Sequence, residues 1–267
     1  MPDHHYLFVD GGYLRARHSE AIGRVFGDSG RVDLTSMRTS MRSLSSGSLF
    51  NRIFYYDCLH DIPLVNESED ELRERVKSQQ GFFDELQALE GFHVRLGSLS
   101  GSSRKLRQKE VDILLAVDAL DHAFRKNMAG ITLIAGDLDF APLVEALVRL
   151  GTWVEIWYDP TSIAKHLREG ADKAVPLTLD NYYAWCRSDF RLTHLLPQRR
   201  DNVRAEDFAF ELQKSGSFEN KEIRMYRHGS EHVLFIPETK GSWMFAHPDA
   251  TVLENYFTVV FSPITWK

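Results

Sequence analysis

The sequence predicts an α/β fold, a mainly parallel sheet flanked by helices, followed by a small β-rich appendage. Two observations predict the sheet. Short apolar runs alternate with longer amphipathic stretches over the first two-thirds of the 267 residues, the pattern of βαβ units covered on both faces. The first and fourth of those runs also end abruptly at acidic residues, where open parallel sheets build their sites. A third observation predicts the appendage, because the alternation stops near Ala184.

Tyr6-Leu7-Phe8-Val9 is a compact buried-strand signal that stops at Asp10-Gly11-Gly12. Arg52 to Tyr56, Phe92 to Leu96, Ile131 to Ala135 and Trp153 to Trp157 supply four more strands. Helical periodicity runs from about Asp70 to Leu89, Lys109 to Lys126 and Phe140 to Leu150. Gly97 to Gln108, rich in glycine, serine and basic residues, reads as a mobile loop before the helix that opens at Lys109. Beyond Ala184, Glu222 to Tyr226 and His232 to Ile236 read as strands around a turn at His228-Gly229-Ser230-Glu231. Apolar runs follow at Trp243 to Ala246 and Tyr256 to Phe261. The expected division is residues 1–183 as the α/β domain and 184–267 as a small α+β or β-rich domain.

Hydrophobic residues make up 43% and charged residues 26%, a soluble globular profile. The net charge of −6 argues against coating nucleic acid by bulk electrostatics. It does not exclude an enzyme acting on nucleic acid, because carboxylates lower the net charge and a bound cation inverts the local sign. Cys58 and Cys186 fit no metal spacing and read as reduced thiols of a cytoplasmic protein. No signal peptide opens the chain, and no apolar run reaches the roughly 20 residues of a membrane span.

The candidate chemistry lies with four aspartates. Asp10 ends the first strand, Asp137 and Asp139 follow the fourth, and Asp112 stands in the first turn of the helix running into the fourth. Strand-end acids share one crevice when their strands are neighbours, and a cluster of carboxylates calls for a hard cation such as Mg²⁺ or Mn²⁺. Each residue also has a plainer reading. An Asp after a strand is most often an N-cap, which Asp137 before the helix around Pro142 fits well, and Asp112 suits the helix macrodipole. There is no HExxH, no G-x-S-x-G elbow and no Walker loop.

The string Phe8-Val9-Asp10-Gly11-Gly12-Tyr13-Leu14 resembles the opening of NYN domains, in the LabA-like branch of the PIN-like nucleases. Lys109-Glu110-Val111-Asp112, with Leu114, Leu115, Ala116 and Asp118, is similar to that family's central helix. Ala135-Gly136-Asp137-Leu138-Asp139-Phe140-Ala141-Pro142-Leu143 resembles its third signature. In order, these cover roughly residues 5 to 180. The resemblance implies a PIN-like fold, Mg²⁺ or Mn²⁺, and endoribonuclease activity on RNA. Asp10, Asp112, Asp137 and Asp139 would then be the metal-holding and catalytic residues. Two positions depart from the family pattern. Gly12-Tyr13 stands where many relatives carry Asn, and Ala135 stands where a hydroxyl often precedes the Gly-Asp pair.

Asp118 lies well around the helix from Asp112 and is either solvent-facing or a support behind the metal ligands. Arg104, Lys105, Arg107 and Lys109 form a basic stretch suited to an RNA backbone, or simply a solvated surface. Two other functions compete. A haloacid-dehalogenase-like phosphatase needs a second acid two places after its nucleophile, where this chain has Gly12. A catalytically weak PIN-like module that binds RNA or protein would keep the fold without cutting.

Overall fold

The computed structural model describes residues 4–28, 30–44, 50–102, 105–203, 211–238 and 241–267, with the side chains at 42–44, 98–102 and 105–109 left out of the description. The chain divides into two compact units, one of residues 1–17 and 37–178, the other of 18–36 and 179–267.

In chain order the elements up to residue 178 are β1 (His5–Asp10), α1 (Gly11–Phe26), α2 (Leu34–Leu44), β2 (Phe50–Cys58), α3 (Glu69–Gln87), β3 (Phe92–Ser102), β4 (Lys105–Lys109), α4 (Val111–Phe124), β5 (Gly130–Ile134), a 3-10 turn at Leu138–Phe140, α5 (Ala141–Arg149), β6 (Trp153–Tyr158), α6 (Lys165–Gly170) and β7 (Lys173–Pro176). Seven strands form one sheet in the order β4-β3-β2-β1-β5-β6-β7. All neighbours are parallel except β3 and β4. Tyr6 to Val9 and all of β5 are buried, as strands covered on both faces must be.

One core layer lies between this sheet and α4 and α5. Phe8 stacks on Phe54 at 4.9 Å and on Tyr56 at 5.7 Å, with Leu115, Ala119, Val144 and Leu147 packed from the helices. The helices begin where local chemistry stops strand formation. Ser68 and Glu71 form a reciprocal capping box on α3, which satisfies two orphan amides. Pro142 lies at the start of α5, where a missing N–H costs nothing.

Where a loop was expected at Gly97 to Gln108, the described residues belong to two paired strands. Ser98 pairs with Lys109, Ser100 with Arg107 and Ser102 with Lys105 in an antiparallel ladder. Backbone groups alone build such a ladder, so a segment without apolar alternation can still extend β3 past the sheet. The helix that follows starts at Val111, after Glu110 in a left-handed conformation.

The second unit includes α7 (Leu179–Ala184), α8 (Ser188–Thr193), β8 (Gln198–Asp201), β9 (Glu211–Phe218), β10 (Lys221–His228), β11 (Glu231–Ile236), β12 (Trp243–His247), α9 (Ala250–Val260) and β13 (Thr265–Trp266). Its six strands run in the order β13-β9-β10-β11-β12-β8, every pairing antiparallel. The apolar run at Tyr256 to Phe261 belongs to a helix and its C-terminal cap. Asp249 caps that helix by accepting the amides of Thr251 and Val252. Leu253 and Phe257, one turn apart, bury against Phe218, Trp243 and Phe245.

Candidate functional site

Strand order decides where a site can form. β1 lies between β2 and β5, and the chain turns from β1 toward β2 on one side while β5 and β6 build out on the other. The crevice outside the carboxyl ends of β1 and β5 is therefore a topological switch point, the usual ligand position in an open α/β sheet. Val9 pairs with Ile134, so Asp10 stands one residue beyond that rung and Asp137 three residues beyond it.

The capping role expected for Asp137 is present, and Asp10 has one as well. Asp10 Oδ1 accepts the Tyr13 amide at 3.0 Å, and Asp137 Oδ1 accepts the Asp139 amide at 3.1 Å. These bonds fix the orientation of each carboxylate. Capping alone does not explain the electrostatics. The Asp10 pKa is pushed up to about 6 by burial of its carboxyl and by the negative charge of Asp112, against the Tyr13 amide and Arg15, which favour ionisation. The Asp112 pKa is also raised, first by desolvation and then by Asp137 and Asp139. The four acids thus lie in one field, linked through Asp112. Asp112, Asp137 and Asp139 are exposed, and Asp10 is half-buried.

This hard-oxygen donor set, destabilised by its own charge, fits a divalent cation. Among the described residues no three of these carboxylates offer oxygens mutually within 4.8 Å.

The Gly12-Tyr13 departure has a structural explanation. The Tyr13 hydroxyl donates to the Ser162 carbonyl at 2.9 Å and accepts the Asp159 amide at 2.8 Å, tying α1 to the loop after β6. A Cβ on Gly136 would sit 2.3 Å from the Ser162 carbonyl and 2.4 Å from the Tyr13 ring, so glycine is required for this approach. Ala135, the other departure, is fully buried.

Asp118 is engaged by other groups. It accepts two bonds from Arg95, at 2.8 and 3.1 Å, and one from the Tyr56 hydroxyl at 3.0 Å. Arg104 falls outside the described residues. Lys105, Arg107 and Lys109 are strand residues of β4 rather than loop or helix residues, and their side chains fall outside the description.

Sequence reasoning missed Arg15 and Asp57. Asp57 has no solvent exposure and is ion-paired with Arg15, whose guanidinium also donates to the Tyr55 hydroxyl at 3.2 Å. A Cβ on Gly11 would lie 2.7 Å from the Asp57 carboxylate, so this pair borders the start of α1. Asp57, Cys58 and His60 present ligand atoms within 4.8 Å of one another. Neighbouring positive charge opposes a metal there: Asp57 is already neutralised by Arg15, and Arg15 and Arg75 lie near His60. The lowered His60 pKa, due first to burial, in itself keeps the imidazole neutral and able to ligate. A cation there would have to displace a guanidinium.

In the second unit, Cys186 Sγ lies 3.4 Å from His18 Nε2. Burial pushes the thiol up to about 12 and the imidazole down to about 4, the reverse of an activated nucleophile.

The family model described as "NYN domain" matches residues 5–178. No curated protein matches the chain. Among solved structures, a protein of unknown function from Vibrio parahaemolyticus is similar at 18% identity and a TM-score of 0.46, covering 67% of this chain and 94% of that one. A putative oxidoreductase from Parabacteroides merdae is similar at 11% identity and a TM-score of 0.25, covering 63% of this chain and 27% of that one.

Proposed function

We propose that this chain, which belongs to the NYN domain family, is a metal-dependent endoribonuclease of the LabA-like, PIN-like type. The carrying observation is the field of like charge at the carboxyl edge of the sheet, where Asp112 raises the Asp10 pKa and Asp137 and Asp139 raise that of Asp112. A cluster that costs stability without a cation is what a metal site requires. Asp10, Asp112, Asp137 and Asp139 would hold Mg²⁺ or Mn²⁺.

When bound, the cation polarises phosphoryl oxygens and makes water a competent nucleophile at neutral pH. The chain's own part is orientation and access. Asp10 and Asp137 are each fixed by a backbone amide, so their carboxylates need no reorganisation to take up a ligand. The exposed Asp112, Asp137 and Asp139 leave the site open to a substrate as bulky as RNA. No side-chain nucleophile is required, and the His18–Cys186 pair supplies none. The basic stretch at Arg104, Lys105, Arg107 and Lys109 would contact the RNA backbone.

Among the described residues no helix is long and apolar enough to cross a membrane. The buried thiols of Cys58 and Cys186, neither in a disulfide, suit the reducing cytoplasm.

The test is a titration of Mn²⁺ into the protein with a single-stranded RNA. Cleavage supports the nuclease, binding without cleavage supports the weak PIN-like module, and the absence of both removes RNA from the account.

A further inference from the structure

The positive charge that opposes a cation beside Asp57 suits an anion. Tyr56 pairs with Asp10 in the β1–β2 register, so Asp57 stands one residue beyond that rung, at the same carboxyl edge of the sheet. Neighbouring strands lie about 4.8 Å apart. Arg15 is one helical turn along α1 from Gly11 and shares its face. A Cβ on Gly11 would meet both Tyr55 and Asp57 within 2.7 Å, so that face lies over them.

Asp57 is fully buried, whereas the Arg15 side chain is 33% exposed. Arg15 turns both Nη atoms inward: Nη2 donates to Asp57 at 3.1 Å, and Nη1 meets Asp57 and the Tyr55 hydroxyl. Its Nε edge has no acceptor among the described residues. A guanidinium carries five N–H donors, so a fork is left over from the pair with Asp57. His60 borders the same carboxylate, with a ring nitrogen within 4.8 Å of an Asp57 oxygen. The ring has no hydrogen-bond partner among the described residues. Burial, and then Arg15 and Arg75, lower the His60 pKa against Asp61, so the field there is positive even with Asp57 beside it. Arg75 is engaged by Glu67 and by the His60 and Ile62 carbonyls; it steadies the His60 backbone and leaves the anion to Arg15 and His60.

We propose that Arg15, seated on Asp57, and His60 beside it form an oxyanion subsite for an RNA phosphodiester neighbouring the one at the aspartates. The subsite serves the metal-dependent cleavage proposed above and rests on that reading. Four carboxylates with one divalent cation keep net negative charge and repel a polyanion, so a strand that reaches the cation needs a positive group close by. Arg15 attracts the Asp10 carboxylate and so lies within the field of the cluster. A planar guanidinium matches two phosphate oxygens at once. One already held by a buried carboxylate gives up little side-chain freedom on binding.

Fluorescence anisotropy with a labelled single-stranded RNA tests the subsite, in Ca²⁺ as a hard cation for oxygen ligands and over a range of KCl. Arg15→Met with Asp57→Asn removes the pair without orphaning a buried charge. This double variant should bind at least about tenfold more weakly. Its salt slope should fall by about 0.7, the value of one phosphate contact on a single strand. Arg15→Lys keeps an ion pair with Asp57 but loses the fork, and should weaken binding at least about threefold. Melting curves show which variants are folded; if the double variant is not, Arg15→Lys decides. Parent affinity and slope in the folded double variant, parent affinity in Arg15→Lys, or a parent that does not bind RNA would overturn the subsite. Cleavage in Mn²⁺ is scored separately. A parent that binds RNA but never cuts it ends the nuclease reading, and the slope comparison still decides the subsite.

Discussion

Replacing Asp10 with Asn removes a charge that burial and Asp112 disfavour, so the metal-free protein should become more stable. The Asp10 pKa is about 6 in the folded chain against an ordinary 3.8. At 1.36 kcal/mol per unit, the ionised carboxylate costs the folded state up to about 3 kcal/mol. The loss of attraction to Arg15 reduces that gain. Asn caps a helix about as well as Asp, so the Tyr13 amide keeps its acceptor. The sign follows from linkage. A raised carboxyl pKa means that the unfolded chain gives up its proton first, so the penalty is absent below about pH 3.8, grows as pH rises, and is complete above about pH 6. Thermal melts in EDTA should therefore show Asp10→Asn above the parent by several degrees at pH 7.5, given about 2–4 °C per kcal/mol for a domain of this size. The two melting curves should converge at pH 4. A variant no more stable than the parent at pH 7.5, or a gain that persists undiminished at pH 4, would refute the reasoning.

Tyr13→Phe removes the hydroxyl that bonds the Ser162 carbonyl and the Asp159 amide and should cost about 1–3 kcal/mol in urea unfolding. Gly136→Ala should cost a similar amount, because its methyl would collide with backbone at Ser162; wild-type midpoints in both would dissolve that account of the family departure. Arg15→Met should destabilise by about 3–5 kcal/mol by removing the guanidinium paired with buried Asp57, and adding Asp57→Asn should recover most of the loss. Failure of the second change to rescue would mean that the other contacts of Asp57, such as the Cys58 amide at 2.7 Å, outweigh its pair with Arg15. Changing Arg104, Lys105 and Arg107 together to Ala should weaken RNA binding and flatten its salt dependence; an unchanged slope would return the stretch to a solvated surface.

The sheet was legible because parallel strands buried on both faces must be written as apolar runs, as in Tyr6 to Val9. The helices between β1 and β2 were not. α1 opens on Gly11-Gly12, two poor helix formers, and buries the polar His18 among its apolar positions. α2 spaces Met37 and Met41 one turn apart within a run of Ser, Thr and Arg, too thin a pattern to stand out. The β3–β4 pairing was hidden because its ladder is made by backbone, which composition does not record. Asp10, Asp112, Asp137 and Asp139 could be named from strand ends and a helix start. The same rule applied one residue past Tyr56 and Tyr158 would have flagged Asp57 and Asp159. Nothing in the sequence assigns Arg15 to Asp57, since that pairing depends on α1 lying over β2.

The central claim, that the aspartates hold a catalytic cation, is tested most directly with Asp137→Asn against the parent. Two readings are taken together: cleavage of a single-stranded RNA in Mn²⁺, and the rise in melting temperature that Mn²⁺ produces without RNA. Asn preserves the cap to Asp139, so a capping role alone predicts that both readings survive. The account predicts that the parent cleaves and is stabilised by Mn²⁺, whereas the variant loses cleavage and most of the stabilisation, because a ligand stabilises only as far as it binds the native state. Full Mn²⁺-dependent cleavage by Asp137→Asn, with an undiminished thermal shift, would contradict it.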